Sequence, residues 1–263
     1  MRTQNYLEEA LVEATVKMLL VKATKRRFNR TSAWREWRKR MVRAEVKLKS
    51  ILRKFFKAQR NYVVNKSLKK DIYSDWEFDI GEWSERLYAE GIDFIRRLVS
   101  QEGSDVLRRL RLIIPDIGQV SFDVNNPRVA ELIRENVINF ARQVNETTNA
   151  SIREAVARGV EAGEGISDIA NRVASVFDEA EGYRSELIAR TEVIRNSNMA
   201  AEECYVAAGI EKKQWYTTPD DALCEECMDL ADEIVPVGEA FSSGDYTPPL
   251  HPSCRCTILP VIE

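Results

Sequence analysis

The placing of glycine and proline constrains this chain more than any other feature. Helices need stretches free of both, and up to Gly209 the chain supplies several long ones. From Pro219 onward turn residues recur too often for long helices. The spacing therefore predicts a mainly α chain that ends in a small α+β module.

Apolar periodicity places the helices. Leu7, Leu11, Ala14, Met18 and Val21 recur at three and four, predicting an amphipathic helix over 4–22. Leu48, Leu52, Phe55, Gln59 and Tyr62 continue the pattern in a helix from Met41 to about Leu68, with a stripe suited to packing. An acidic, aromatic stretch from Tyr73 to about Val99 is a third candidate. Pro115, Gly118 and Asn125-Asn126-Pro127 mark a loop. Val129, Ile133, Val137, Phe140 and Val144 restore the period up to about Gly159. Ser167 is a candidate N-cap for a helix over 168–177, and a last long helix runs from Tyr183 to Ala208, stopped by Gly209. Residues 213–218 and 256–262 are candidate strands, Pro260 favouring an edge or strand end.

Charge divides the chain again. The formal net charge is -3, yet residues 1–70 hold 21 lysines and arginines against 5 acidic residues. Residues 186–263 hold 5 basic and 15 acidic ones. Three segments follow: a basic helical arm (1–70), a helical body (71–185) and the α+β module (186–263). Lys25, Arg26, Arg27, Arg30, Arg35, Arg38, Lys39 and Arg40, with Phe28, Trp34 and Trp37 among them, suit a phosphate backbone or an acidic protein surface. Attraction between the two oppositely charged parts is the plainer alternative. No apolar run approaches the ~18 residues of a membrane span, so neither a membrane partner nor a signal segment is expected.

The most concentrated chemistry is near the end. Cys224-x2-Cys227 is followed by His251-x2-Cys254-x-Cys256, and His251 is the only histidine. Two donors three residues apart can meet one ion from a single turn, and thiolates with an imidazole suit structural Zn2+. Five donors compete for four positions, so either Cys254 or Cys256 is spare. Buried thiols beside a hydrogen-bonded histidine, or a disulfide, are the other readings; a reducing compartment disfavours the disulfide. A deaminase site needs His-x-Glu before its Cys-x2-Cys, which is missing here. A metal-dependent nuclease would need an open metal position and a carboxylate such as Asp220, Asp221 or Glu226.

Ala189-Arg190-Thr191-Glu192, then Lys213-Gln214-Trp215, Asp220-Asp221 with Cys224-x2-Cys227, and the closing Pro248-Pro249-Leu250-His251-Pro252-Ser253-Cys254-Arg255-Cys256 resemble the Mu F-like head-morphogenesis family of tailed phages. The likeness is densest over about 186–260 and looser upstream, through Asn145-Glu146-Thr147-Thr148-Asn149 and Gly165-Ile166-Ser167-Asp168. It implies a minor head protein, carried in the virion near the portal vertex and present in the host cytoplasm during assembly. It implies contact with the portal protein, with phage DNA and with a scaffold or the major capsid protein. No enzymatic activity is implied. Arg190, Thr191, Glu192 and Trp215 are then expected to be structural, their helix bracing the small module.

Overall fold

A computed structural model of the protein describes residues 29–67, 78–114, 117, 120–218 and 223–262. The helix expected at 4–22, together with Lys25, Arg26 and Arg27, lies outside these residues.

Helix α1 spans Arg30–Tyr62 and continues as a π-helical turn, Val63–Ser67. The carboxamide oxygen of Asn29 caps it, accepting the Ser32 N–H at 2.9 Å. It begins eleven residues before the expected Met41, because Trp34 and Trp37 extend the buried stripe through Met41, Leu48, Leu52 and Phe55. These two tryptophans are core residues, not exposed rings among arginines.

Helix α2 spans Ile80–Ile113, started by an Asp79 cap on the Glu82 N–H (2.9 Å), and α3 spans Pro127–Glu161. Proline in the first turn of α3 loses nothing, since no partner awaits an N–H there. Gly163, at φ 68°, closes α3: the N–H of Glu164 donates to Gly159 O at 2.9 Å and that of Gly163 to Val160 O at 3.0 Å. Helix α4 spans Ile166–Glu179. Its N-cap is Gly165, which corrects the expectation for Ser167. The reason is contact with α3: Ile169 sits on Gly159, where a Cβ would lie 2.6 Å from Ile169 Cγ1. A π-helical turn, Ala180–Arg184, then leads into α5, Ser185–Ala207.

Helix α5 is the axis of the molecule. Almost every residue from Glu192 to Tyr205 is buried, because α1, α2, α3 and the sheet all pack on it. Gly209, at φ 65°, ends it, and the Ile210 N–H returns to Tyr205 O at 3.0 Å.

Beyond α5 lie β1 (Lys212–Tyr216), the short α6 (Glu225–Asp229), β2 (Ile234–Pro236) and β3 (Thr257–Val261). The strands form an antiparallel sheet in the order β2-β1-β3. Pro260 thus sits on an edge strand, opposite Lys213. Strand β2 and helix α6, each of five residues or fewer, are too short to leave a periodic signal.

Two hydrophobic clusters result. The larger joins the long helices. The smaller gathers Trp215, Phe241, Leu230 and Ile258 with Ala201, Cys204 and Tyr205 of α5 and Leu107 and Leu110 of α2. Among the described residues no helix is long and apolar enough to cross a membrane.

Candidate metal centre

Two turns bring the Cys/His donors together. Cys224 is the N-cap of α6, and its sulfur accepts the Cys227 N–H at 3.4 Å. The second turn is closed by the Cys254 N–H on His251 O (3.1 Å), with Ser253 at φ 65°. His251 Nε2 then lies 3.0 Å from Cys224 Sγ and 3.2 Å from Cys227 Sγ, and Cys227 Sγ lies 3.7 Å from Cys254 Sγ. The donors form two overlapping groups, Cys224/Cys227/His251 and Cys227/Cys254/Cys256. All five cysteines are free thiols.

The residues fit a four-coordinate cation. They surround a cavity of about 30 Å³, and the donor set is three or more thiols and an imidazole. His251 Nδ1 faces Pro252 O at 2.8 Å, so it carries the proton and leaves Nε2 free as a ligand. Thr218 Oγ1, on the cavity wall, is buried without a partner among the described residues, and a metal-bound thiolate would accept its hydrogen bond.

The thiols already share protons unevenly. A hydrogen bond from Cys227 pulls Cys254 down to about 2, and the same bond raises Cys227. For Cys256, the hydrogen bond to Cys227 pulls downward, but that to Cys254 and burial prevail and push it up to about 12. Burial resists ionisation of Cys224, yet the Cys227 N–H and His251 outweigh it and lower its pKa. Crowding thus drives the pKa values of neighbouring thiols apart, and a cation bound there would displace their remaining protons.

Helix α5 positions this cluster. Thr191 Oγ1 accepts the Ser253 N–H at 3.2 Å while donating to Leu187 O at 2.8 Å. Asn198 Oδ1 accepts from Thr257 Oγ1 (2.8 Å) and the Ile258 N–H (3.0 Å), and Asn198 Nδ2 reaches Cys256 O at 3.4 Å. The Trp37 indole N–H donates to Ser197 Oγ at 2.7 Å, and that of Trp34 to Arg255 O at 3.2 Å. Trp215 is fully buried, edge-on to Phe241 at 5.0 Å. Beside it on β1, Lys213 is buried against Glu202 at 2.7 Å. No motif spacing singled out Asn198 or Thr218.

Arg190 pairs with Glu186 (3.3 Å) and Glu45 (3.5 Å). Glu192 pairs with Arg195 at 3.4 Å, yet burial raises its carboxyl pKa, with Arg195 only partly opposing. Both Glu192 and Arg195 line a groove of about 360 Å³ between α3, α5 and the loop Pro249–Pro252. Of the nuclease carboxylates, Asp220 and Asp221 lie outside the described residues, and Glu226 is exposed on α6.

The basic residues divide. Arg30 binds Gln214 Oε1 (2.8 Å) and Asp232 (3.0 Å), Arg38 binds Glu45, and Arg40 binds Glu102 (2.8 Å) and Asp105 (3.1 Å). All three are therefore engaged within the chain, Arg38 and Arg40 by largely buried carboxylates and Arg30 in an exposed pair. Arg35 and Lys39 are exposed, and Arg43, Lys47, Arg53, Lys54 and Lys57, not singled out from the sequence, extend the same outer face of α1. None of these seven has a partner among the described residues. The four-residue spacing of Arg35, Lys39, Arg43 and Lys47 was the available signal.

Residues 150–259 match the family model described as Phage Mu protein F like protein. Over this region, 110 of the 263 residues, the chain is similar to the phage Mu F-like family. That family is one of phage head morphogenesis. The Mu F-like region takes in the end of α3, all of α4 and α5, the sheet and the whole Cys/His cluster. Comparisons with curated proteins and with solved structures each gave no match.

Proposed function

We propose that this Mu F-like protein is a non-enzymatic minor head protein at the portal vertex of a tailed phage, whose helix α1 lies against the packaged genome and whose C-terminal module is clamped by zinc. The observation that carries the genome contact is the outer face of α1. Arg35, Lys39, Arg43 and Lys47 follow one another at four-residue spacing, which places like charges side by side and weakens an isolated helix. On α3 the corresponding positions are neutralised: Arg134 by Glu131, Arg142 by Glu146, Arg158 by Glu154. A self-repelling face of this kind gains its stabilisation from an external polyanion. It runs about 33 Å from Arg35 to Lys57 at 1.5 Å per residue, roughly one turn of duplex DNA.

Zinc would be held by Cys224, Cys227, His251 and one of Cys254 and Cys256, four protein donors that leave no open position for chemistry. It would supply cross-linking of the two turns that carry these residues.

Duplex DNA binding by the full-length protein, titrated with salt, tests the genome contact. Affinity should fall steeply as salt rises, each phosphate contact contributing about 0.9 to the log–log slope. Lys39→Glu/Arg43→Glu/Lys47→Glu should remove most of it. Unchanged affinity in that variant would overturn the assignment of α1. Retention of an isolated portal protein by the wild type, lost in the same variant without any DNA affinity, would assign the face to the portal instead.

A further inference from the structure

The Mu F-like module offers five donors for four metal positions. We infer that Cys254 is the fourth ligand and that Cys256 stays off the metal as a packed core thiol. The inference rests on the zinc reading above and adds to it which sulfur the ion takes.

The backbone carries the first argument. Cys224 and Cys227 stand at the two ends of one turn, and His251 and Cys254 at the two ends of the other, closed by the Cys254 N–H on His251 O. The two x2 spacings are thus equivalent units, each aiming a pair of side chains at a common point. Cys256 lies beyond the second unit. Its carbonyl is tied to Asn198 of α5, and the next residue opens β3. Its sulfur lies within 4.8 Å of those of Cys227 and Cys254 but is not grouped with Cys224 and His251, and the Asn198 contacts of Thr257 and Ile258 hold the backbone beside it.

Sulfur geometry gives the second argument. With Zn–S bonds of about 2.3 Å, two sulfurs on a tetrahedron stand roughly 3.8 Å apart. Cys227 and Cys254 are already at 3.7 Å.

Hydrogen bonds to sulfur give the third. A metal-bound thiolate needs donors, and backbone N–H groups supply them without competing for the ion. The sulfur of Cys224 receives the Cys227 N–H at 3.4 Å, and that of Cys254 receives the Cys256 N–H at 3.5 Å. Among the described residues no backbone N–H reaches the sulfur of Cys256, which is buried in the same apolar cluster as Cys227 and Cys254. Cys256 therefore contributes its main-chain N–H to the ligand next door and its side chain to the core.

Cobalt(II) is the probe, since thiolate-to-cobalt charge-transfer absorption counts the sulfurs bound. Full-length wild type, Cys254→Ser, Cys256→Ser and Cys254→His are each loaded and titrated. Cys256→Ser should keep one ion per chain and the wild-type charge-transfer intensity. Cys254→Ser should lose about a third of that intensity, one thiolate of three, and bind more weakly. Should Cys254→Ser fail to fold, Cys254→His keeps four donors and should hold the ion with the same loss of intensity. Full intensity in either Cys254 variant, with a loss in Cys256→Ser, would overturn the inference. A wild type that takes up no cobalt or zinc would overturn the clamp itself.

Discussion

Replacing Lys213 by methionine tests whether the module depends on its buried ion pair. Lys213 is completely buried on β1, its ammonium 2.7 Å from Glu202 Oε1 and 2.8 Å from Tyr246 O, and 5.2 Å from the centre of the Phe241 ring. Glu202 has little else: the Gly238 N–H reaches the same oxygen at 2.8 Å, and the other oxygen has no partner among the described residues. Methionine fills the space of the lysine stem but leaves a carboxylate in the interior with one donor. Losing one partner of a buried pair costs about 3–5 kcal/mol. For a chain of this size each kcal/mol lowers the melting temperature by roughly 2–4 °C, so the expected fall is about 6–20 °C. Urea unfolding followed by circular dichroism measures it. The double variant Glu202→Gln/Lys213→Met carries no buried charge and should recover part of the loss. A single variant that costs under about 1 kcal/mol, or a double variant no better than the single, would refute the reasoning.

Three further outcomes are expected. Glu192→Gln should stabilise the protein at neutral pH, because burial raises the folded carboxyl pKa and ionisation there opposes folding; the advantage should shrink as pH falls toward the ordinary 4.5, where the wild type also folds neutral. Melting curves at pH 4 and pH 7.5 decide it, and equal differences at both would contradict the sign. Trp215→Ala should cost about 3–5 kcal/mol by emptying the centre of the small cluster, read by urea unfolding. Gly159→Ala should cost about 1–3 kcal/mol, since the new methyl meets Ile169 where α4 docks on α3, and Gly159→Ala/Ile169→Val should recover part of it.

The long helices were legible because burial writes a three-four period into the sequence, as Val129 to Val144 shows. Helix α5 was legible by its ends and not by a stripe, because a helix covered on every side has no polar face to alternate with. Helix α1 was misjudged at its start. A run rich in arginine and tryptophan looks like a ligand surface until Trp34 and Trp37 are found in the core and Arg30, Arg38 and Arg40 against carboxylates more than 60 residues away or, for Arg38, about two turns further along α1, on partners that spacing cannot foresee. The Cys/His donors were legible as a set from their x2 spacings. Their support was not: Thr191, Asn198 and Thr218 act through single hydrogen bonds between distant segments, and such bonds leave no local pattern.

Metal content and thermal melting, measured together on the purified full-length protein, test the zinc clamp. The zinc clamp predicts one zinc ion per chain and a lower melting temperature once a chelator has removed it, since binding to the folded cluster adds to its stability. Protein free of metal after purification and after zinc addition, with melting unchanged by chelator, would contradict it.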